Sequence, residues 1–172
     1  MLRYKDIVPY LENVSFDMER NGLRVDLVAH LGDKTKKLGD YFADFFNTPN
    51  VELPSLLRPR RNRILAGFLN YAYHFFPESV LRLLSKQYKR IYQGDDRVLK
   101  KDFELEKVID GHKSILLVDD NAFTGKTFEN WKKLMEREID IHTFSITING
   151  SYKPDYFCLT GWHSFEWRRI GI

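Results

Sequence analysis

The sequence predicts an α/β fold, a mostly parallel central sheet of about five strands flanked by helices. Three observations predict it. An apolar run at 25–31 leads through a polar turn into a helical stretch at 35–46. A second apolar run, Ser114-Ile115-Leu116-Leu117-Val118, leads through a short polar loop into another helical stretch, and a third run at 141–148 follows that helix. Strands alternating with helices argue for parallel strands joined by crossovers that cover the sheet on both faces.

Taken in order, residues 1–20 are mixed in character, with Leu11 and Val14 apolar, and predict a short N-terminal helix. Val25-Asp26-Leu27-Val28-Ala29-His30-Leu31 holds few helix formers and reads as a buried strand. Gly32-Asp33-Lys34-Thr35 supplies a turn, after which Leu38, Tyr41, Phe42, Phe45 and Phe46 recur at helical spacing. Pro49 restricts what precedes it, so this helix ends near Asn47. The stretch from Asn62 to Tyr92 is rich in Leu, Phe and Tyr, and Pro77 divides it into two helices. This helical insert, about 62–93, is preceded by Arg58, Arg60, Arg61 and Arg63 and followed by the loop Gly94-Asp95-Asp96. The helix after Val118 is expected to bury Phe128, Trp131, Leu134 and Met135. Residues 151–172 are expected to form a small aromatic hood. No repeat, low-complexity tract or linker divides the chain, so 1–172 reads as a single domain.

Composition bounds the function. The chain has 172 residues, 43% of them hydrophobic and 15% aromatic, which supplies a core and excludes global disorder. Lys and Arg number 27 against 24 Asp and Glu, a net charge of +3 that does not demand nucleic acid. A sequence pI near 8.9 still suits polyanionic ligands. The lone Cys158 excludes an internal disulfide framework and a Cys-rich zinc site. His30, His74, His112, His142 and His163 are too widely spaced for a zinc motif. No apolar run approaches the roughly 20 residues that span a bilayer. The N-terminal residues lack the apolar core of a signal peptide, so the chain is expected to be soluble and cytoplasmic.

The segment that carries chemistry is Val118-Asp119-Asp120-Asn121-Ala122-Phe123-Thr124-Gly125-Lys126-Thr127. In an open α/β sheet, ligands bind where the carboxyl ends of strands meet the following loops. Backbone N–H groups of Thr124 to Thr127 at the start of a helix would cradle a phosphate with help from the helix dipole. Gly125 lets the main chain approach that anion, the hydroxyls of Thr124 and Thr127 add donors, and Lys126 adds charge. Two carboxylates at the strand end would repel a bare polyphosphate but suit ribose hydroxyls or a Mg²⁺ shell. Acceptors for a diol beside an anion cradle describe a sugar phosphate. A nucleotide-binding P-loop needs a glycine where Asp120 stands. A phosphorylation receiver needs more chain after its acidic pair. A solvated Asp-Asp turn ahead of a plain helix start is the remaining alternative.

Val108-Ile109-Asp110-Gly111-His112-Lys113-Ser114-Ile115-Leu116-Leu117-Val118-Asp119-Asp120 followed by Thr124-Gly125-Lys126-Thr127 resembles the ribosyl-phosphate-binding signature of type I phosphoribosyltransferases, with an ending most like the hypoxanthine-type purine members. The resemblance implies that Asp119 and Asp120 hold the ribose hydroxyls of phosphoribosyl pyrophosphate (PRPP) and act as the catalytic and Mg²⁺-linked acids. It implies that Ala122, Phe123, Thr124, Gly125, Lys126 and Thr127 wrap the 5′-phosphate. Gly32, Asp33, Lys34 and Thr35 stand where the family has its pyrophosphate loop, with Asp33 replacing the usual basic or small residue. Phe123 stands where hypoxanthine-type members carry an acid. The tail from Lys153-Pro154-Asp155-Tyr156 to Trp167 is similar to purine-type members, which implies that Trp162 or Phe165 stacks on the base; sealing of a sheet edge is the alternative for these aromatics. The activity so implied is transfer of phosphoribose from PRPP to a nitrogenous base with release of pyrophosphate and Mg²⁺ as cofactor. The other reading is a module without turnover that binds PRPP, a nucleotide, or a nucleic-acid or protein partner through its basic insert. PRPP and a nucleobase are the implied small-molecule partners, with a homodimer left open and no membrane.

Overall fold

The computed structural model describes residues 2–54, 56, 103–122, 124–135, 139–161, 163 and 165. The expected helical insert, the arginines at 58–63, Phe123, Trp162 and Trp167 lie outside the described residues.

Helix α1 (Tyr4–Arg20) leads to strand β1 (Leu27–Leu31), a 3-10 turn (Asp33–Thr35), α2 (Lys36–Phe46) and β2 (Asn50–Leu53). Then follow α3 (Leu105–Ile109), β3 (Ser114–Ala122), α4 (Lys126–Met135), β4 (Asp140–Ile148) and β5 (Tyr156–Thr160). The five strands form one sheet in the order β2-β1-β3-β4-β5. Every pairing is parallel, with Val28 beside Leu116 and Leu116 beside His142 in register. The expected fold class is what the chain adopts.

Alternation along the strands explains the two-sided burial. Leu116 and Val118 of β3 join Val28, Phe144 and Ile146 against α1 and α2, whose contributions include Ile7, Leu11, Met18, Leu38 and Phe42. Ile115 and Leu117 turn to the other face, against Leu105 and Ile109 of α3 and Phe128, Trp131 and Met135 of α4. A strand covered on both faces must be apolar throughout, which is why Ile115-Leu116-Leu117-Val118 has no polar interruption.

Four details depart from the sequence expectation. β3 runs to Ala122 rather than stopping at Val118, because Asp119, Asn121 and Ala122 continue the ladder opposite Ser145, Thr147 and Ile148. β2 was not anticipated; it is a four-residue edge strand with polar Asn50 and Glu52 in its short run. Residues 156–160 are the opposite edge strand of the main sheet, not part of a hood. Leu134 is 39% exposed, since it sits about 120° around the helix from Phe128 while Trp131 and Met135 stay on the buried stripe. No helix among the described residues is long and apolar enough to cross a membrane. Burial pushes the Cys158 thiol up to about 12, so it stays protonated at neutral pH.

Gly39 shows how tightly α2 meets the sheet. A Cβ there would fall 2.6 Å from Asn50 Oδ1 and 2.9 Å from His30 Cβ. In an open helix, Gly→Ala gains about 1 kcal/mol, but overpacking a filled site costs about 1–3 kcal/mol. Asn50 cannot simply swing away, because both ends of its amide are hydrogen-bonded. Gly39→Ala is therefore expected to lower stability by about 1–2 kcal/mol, read as a lower urea midpoint at unchanged slope.

Candidate functional site

Because all five strands run the same way, the carboxyl ends of β1 and β3 lie side by side. From β1 the chain crosses by α2 to β2 on one flank, whereas from β3 it crosses by α4 to β4 on the other. With α2 and α4 on opposite faces, a crevice is left between the two strand ends, the switch point at which open α/β sheets take ligands. The two loops singled out from sequence flank this point, and the 3-10 turn after β1 touches β3.

The first loop turns at Gly32, whose φ of 81° belongs to the region glycine enters without strain. Its N–H donates to Leu53 O at 3.0 Å, bracing the loop on β2. Asp33 and Lys34 are exposed. Thr35 is 2% exposed, and both its N–H and its hydroxyl donate to Gly32 O, at 3.1 and 2.9 Å. Thr35 thus closes the turn from inside, while Asp33 and Lys34 are the side chains presented outward.

A polar chain runs beneath this loop. Lys36 pairs with Asp40 at 2.9 Å, Asn50 Nδ2 donates to Asp40 Oδ1 at 2.8 Å, and His30 Nδ1 lies 2.9 Å from Asn50 Oδ1. The carboxylate only accepts, so it orients the Asn50 amide, and His30 Nδ1 must carry the hydrogen. His30 Nε2 is buried and has no hydrogen-bond partner among the described residues.

At the second site, Asp119 is half-buried, and its Oδ1 accepts the N–H of Asp120 at 2.8 Å. Asp120 is 3% exposed. Thr147 Oγ1 reaches Asp120 O at 3.4 Å and Asn121 Oδ1 at 3.2 Å, fixing the end of β3 to β4. Ala122, expected to wrap a phosphate, is instead a strand residue: it is 2% exposed, packs on the α4 face, and its carbonyl accepts Asn149 N–H at 3.3 Å. Among the described residues the bend itself therefore begins at Thr124. Thr124 Oγ1 accepts Lys126 N–H at 3.4 Å, and Gly125 O accepts Glu129 N–H at 2.9 Å, the first bond of α4. Lys126, Thr127 and Phe128 thus fill the first turn, whose N–H groups have no intrahelical acceptor and carry the positive end of the dipole. Lys126 Nζ lies 2.7 Å from Glu129, so part of its charge is balanced within the helix.

Sequence reasoning missed Tyr152. Gly125 has φ 71°, and a Cβ there would fall 2.0 Å from Tyr152 Cδ2. The same ring stacks on Phe128, with centroids 5.7 Å apart and planes at 24°. Tyr152 belongs to the crossover between β4 and β5, which Asp155 secures by accepting the Thr143 N–H and hydroxyl, each at 2.8 Å. Its place directly before Lys153-Pro154-Asp155 was the only signal available.

Phe165 requires a correction. It is 1% exposed, bridges to Leu2 and packs in the core on the α1 and α2 side. It seals the sheet beside the N-terminal residues and has no face left for a base. Trp162, the other stacking candidate, lies outside the described residues. Among the described residues no three His, Cys, Asp or Glu side chains group to hold a metal. Asp119 and Asp120 offer hard oxygen donors, which fits Mg²⁺, an ion that takes one or two carboxylates and fills its shell with substrate oxygens and water.

No protein-family model matches the chain, and no curated protein does. Solved structures do match. A Helicobacter pylori xanthine-guanine-hypoxanthine phosphoribosyltransferase aligns with 96% of this chain and 88% of its own at 12% identity and TM-score 0.60. A Pyrococcus horikoshii purine phosphoribosyltransferase aligns with 99% and 94% at 13% identity and TM-score 0.61. A Neisseria gonorrhoeae hypothetical protein with bound ppGpp aligns with 99% and 89% at 15% identity and TM-score 0.62. The chain has the fold of these purine phosphoribosyltransferases, as the signature at 108–127 implied.

The chain beneath the first loop has a pH signature. Hydrogen bonding from Lys36 foremost, and from Asn50, holds the Asp40 carboxyl below its ordinary value, against the opposing effect of burial. A carboxyl lowered in the folded state adds stability that is present above the ordinary carboxylate range and is lost as pH falls through the folded value. Asp40→Asn should therefore lower the urea midpoint at pH 7, with the gap to wild type closing as the pH falls below the ordinary carboxylate range.

Proposed function

We propose that the protein binds PRPP at the β1/β3 switch point and transfers its phosphoribosyl group to a nitrogenous base, releasing pyrophosphate. One observation carries this reading: the acid pair lies in the last four residues of one strand, ahead of the Thr-Gly-Lys-Thr bend, and a positive-φ glycine loop follows the neighbouring strand. A fold shared with purine phosphoribosyltransferases supports it.

In this reading Asp119 and Asp120 accept hydrogen bonds from the ribose hydroxyls and fix the sugar ring. The bend at Gly125 and the first-turn N–H groups of α4 take the 5′-phosphate. The loop at Gly32, Asp33 and Lys34 faces the pyrophosphate, whose charge is assigned to Lys34 or to an arginine of the 58–63 cluster, and Trp162 is the remaining candidate to stack on the base. Asp119 and Asp120 would hold Mg²⁺, which would supply neutralising charge for the leaving pyrophosphate. The anomeric carbon loses pyrophosphate ahead of attack by the base nitrogen, so the work of the chain is positioning and electrostatic stabilisation.

A second reading, a binding module without turnover, draws on Asp33, an acid in the loop that would meet pyrophosphate, and on Lys126, whose charge is shared with Glu129. The Neisseria protein was solved with ppGpp. That ligand, like PRPP, carries pyrophosphate on a ribose.

Isothermal titration with PRPP and Mg²⁺, paired with a pyrophosphate-release assay over a panel of bases, separates the readings. Wild type should give saturable heat, and Asp120→Asn should bind on the order of tenfold more weakly, the loss of a charge-assisted hydrogen bond. Release with any base supports the transferase. Binding without release supports the module, and absence of saturable heat overturns the transferase together with a PRPP-binding module.

A further inference from the structure

We propose that Tyr152 is a positioning residue for the phosphate cradle, its ring forming the wall that holds the Gly125 bend in the shape where the first N–H groups of α4 converge. The inference rests on the ribose-phosphate reading above. Glycine makes a φ of 71° accessible without selecting it, because it populates positive and negative φ about equally. Something outside the bend has to choose. The Tyr152 ring occupies the place a side chain at 125 would fill, with Cδ2, Cγ and Cβ at 2.0, 2.1 and 2.7 Å from an added Cβ. Peptide geometries that turn the Gly125 Cα toward that ring are thereby closed off.

The wall is itself anchored on two sides. Its ring stacks on Phe128, the third residue of α4 and 1% exposed, so it touches both the bend and the first helical turn. Its backbone belongs to the crossover that Asp155 ties to buried Thr143 through two 2.8 Å bonds and a return bond from Asp155 N–H at 3.0 Å. Burial, its largest influence, raises the phenol above its ordinary value, so the ring stays neutral at physiological pH and brings no repelling charge to the anion. The atoms of Tyr152 nearest the Gly125 bend are Cδ2, Cγ and Cβ, whereas its hydroxyl bonds to Thr143, so it is the shape of the ring that the cradle requires.

The test is an amide NMR titration with ribose 5-phosphate, following Lys126, Thr127 and Phe128 N–H resonances in wild type, Tyr152→Phe, Tyr152→Leu and Tyr152→Ala. Wild type and Tyr152→Phe should show these amides shifting at similar ligand concentrations. Tyr152→Ala should need on the order of tenfold more ligand, short of the ~100-fold that an ångström of misplacement can cost. Tyr152→Leu, which keeps apolar bulk without a flat ring, should fall between and stands in if the alanine variant loses its dispersed spectrum. A second arm compares Gly125→Ala with Gly125→Ala/Tyr152→Ala: the double variant should recover part of the binding lost in the single one, because the clash is gone and only the backbone strain remains. Folded Tyr152→Leu and Tyr152→Ala proteins that bind as wild type does overturn the positioning role alone. Wild-type amides that never respond to ribose 5-phosphate overturn it together with the ribose-phosphate reading.

Discussion

The reversal of strand order between β1 and β3 is the constraint on which the rest depends. In register, Leu27, Val28, Ala29 and His30 lie beside Ile115, Leu116, Leu117 and Val118, so the two strands end at the same edge. The helices that follow them leave to opposite faces, and neither can cover the gap. A parallel sheet has no hairpin with which to close such an opening. Among the described residues, the ends of these strands are therefore a place where a helix terminus and side chains from separate segments of the chain meet without a described helix between them. Burial fixes the strands that carry the two loops: Val28, Leu116 and Val118 are fully enclosed.

Both loops solve a related problem in different ways. Each must turn the chain within a few residues while keeping main-chain donors at the rim, and each uses a glycine at positive φ. Gly32 is held by hydrogen bonds, since its own N–H is taken by Leu53 and its carbonyl by Thr35. Gly125 is held by its carbonyl, which starts α4, and by an aromatic wall from a distant crossover. The difference has a consequence for what each can tolerate. The first loop depends on hydrogen bonds, from its Gly32 N–H to Leu53 O and from Thr35 back to Gly32 O. The second depends on packing, and so is exposed to volume.

Local patterns in the sequence carried the parts of this arrangement that local physics determines. The apolar runs at 27–31 and 115–118 and the stripe of Leu38 and Phe42 marked strands and helix because two-sided burial leaves no freedom in residue type. Gly125 was legible because a bend at positive φ ahead of a helix start favours glycine. Edge strands β2 and β5 were not, since a strand paired on one side carries mixed residues such as Asn50, Glu52 and Thr160, which read equally well as loop. The end of β3 was misjudged for a related reason: Asp119 to Ala122 are held in the ladder by Thr147 and Ile148, a tertiary pairing with no trace in their own composition. Tyr152 and Phe165 show the same limit for side chains. Both are aromatics in a tail that looks uniform, yet one lines the bend and the other fills the core, and only the path of the chain between them decides which.

Charge at the crevice follows from these positions and narrows what it can hold. The start of α4 offers about half a positive charge, and the Lys126 ammonium is shared with Glu129. Against this stand Asp119 and Asp120 at the end of β3. Two unit charges about 8 Å apart at an effective dielectric of about 20 interact by about 2 kcal/mol, so two carboxylates outweigh a helix terminus for any polyanion laid directly across them. An anion confined to the bend, with neutral hydroxyls over the acids, avoids that repulsion and gains acceptors for its donors. The arrangement thus favours a molecule whose charges sit at its ends and whose middle donates hydrogen bonds. A ribose with phosphate at one end has that layout. A second anionic group at the far end would have to be met by the loop after β1, where the outward side chains are Asp33 and Lys34, one of each sign. With the Gly32 N–H spent on Leu53, discrimination at that end rests on whatever cation accompanies the ligand more than on the side chains of the loop.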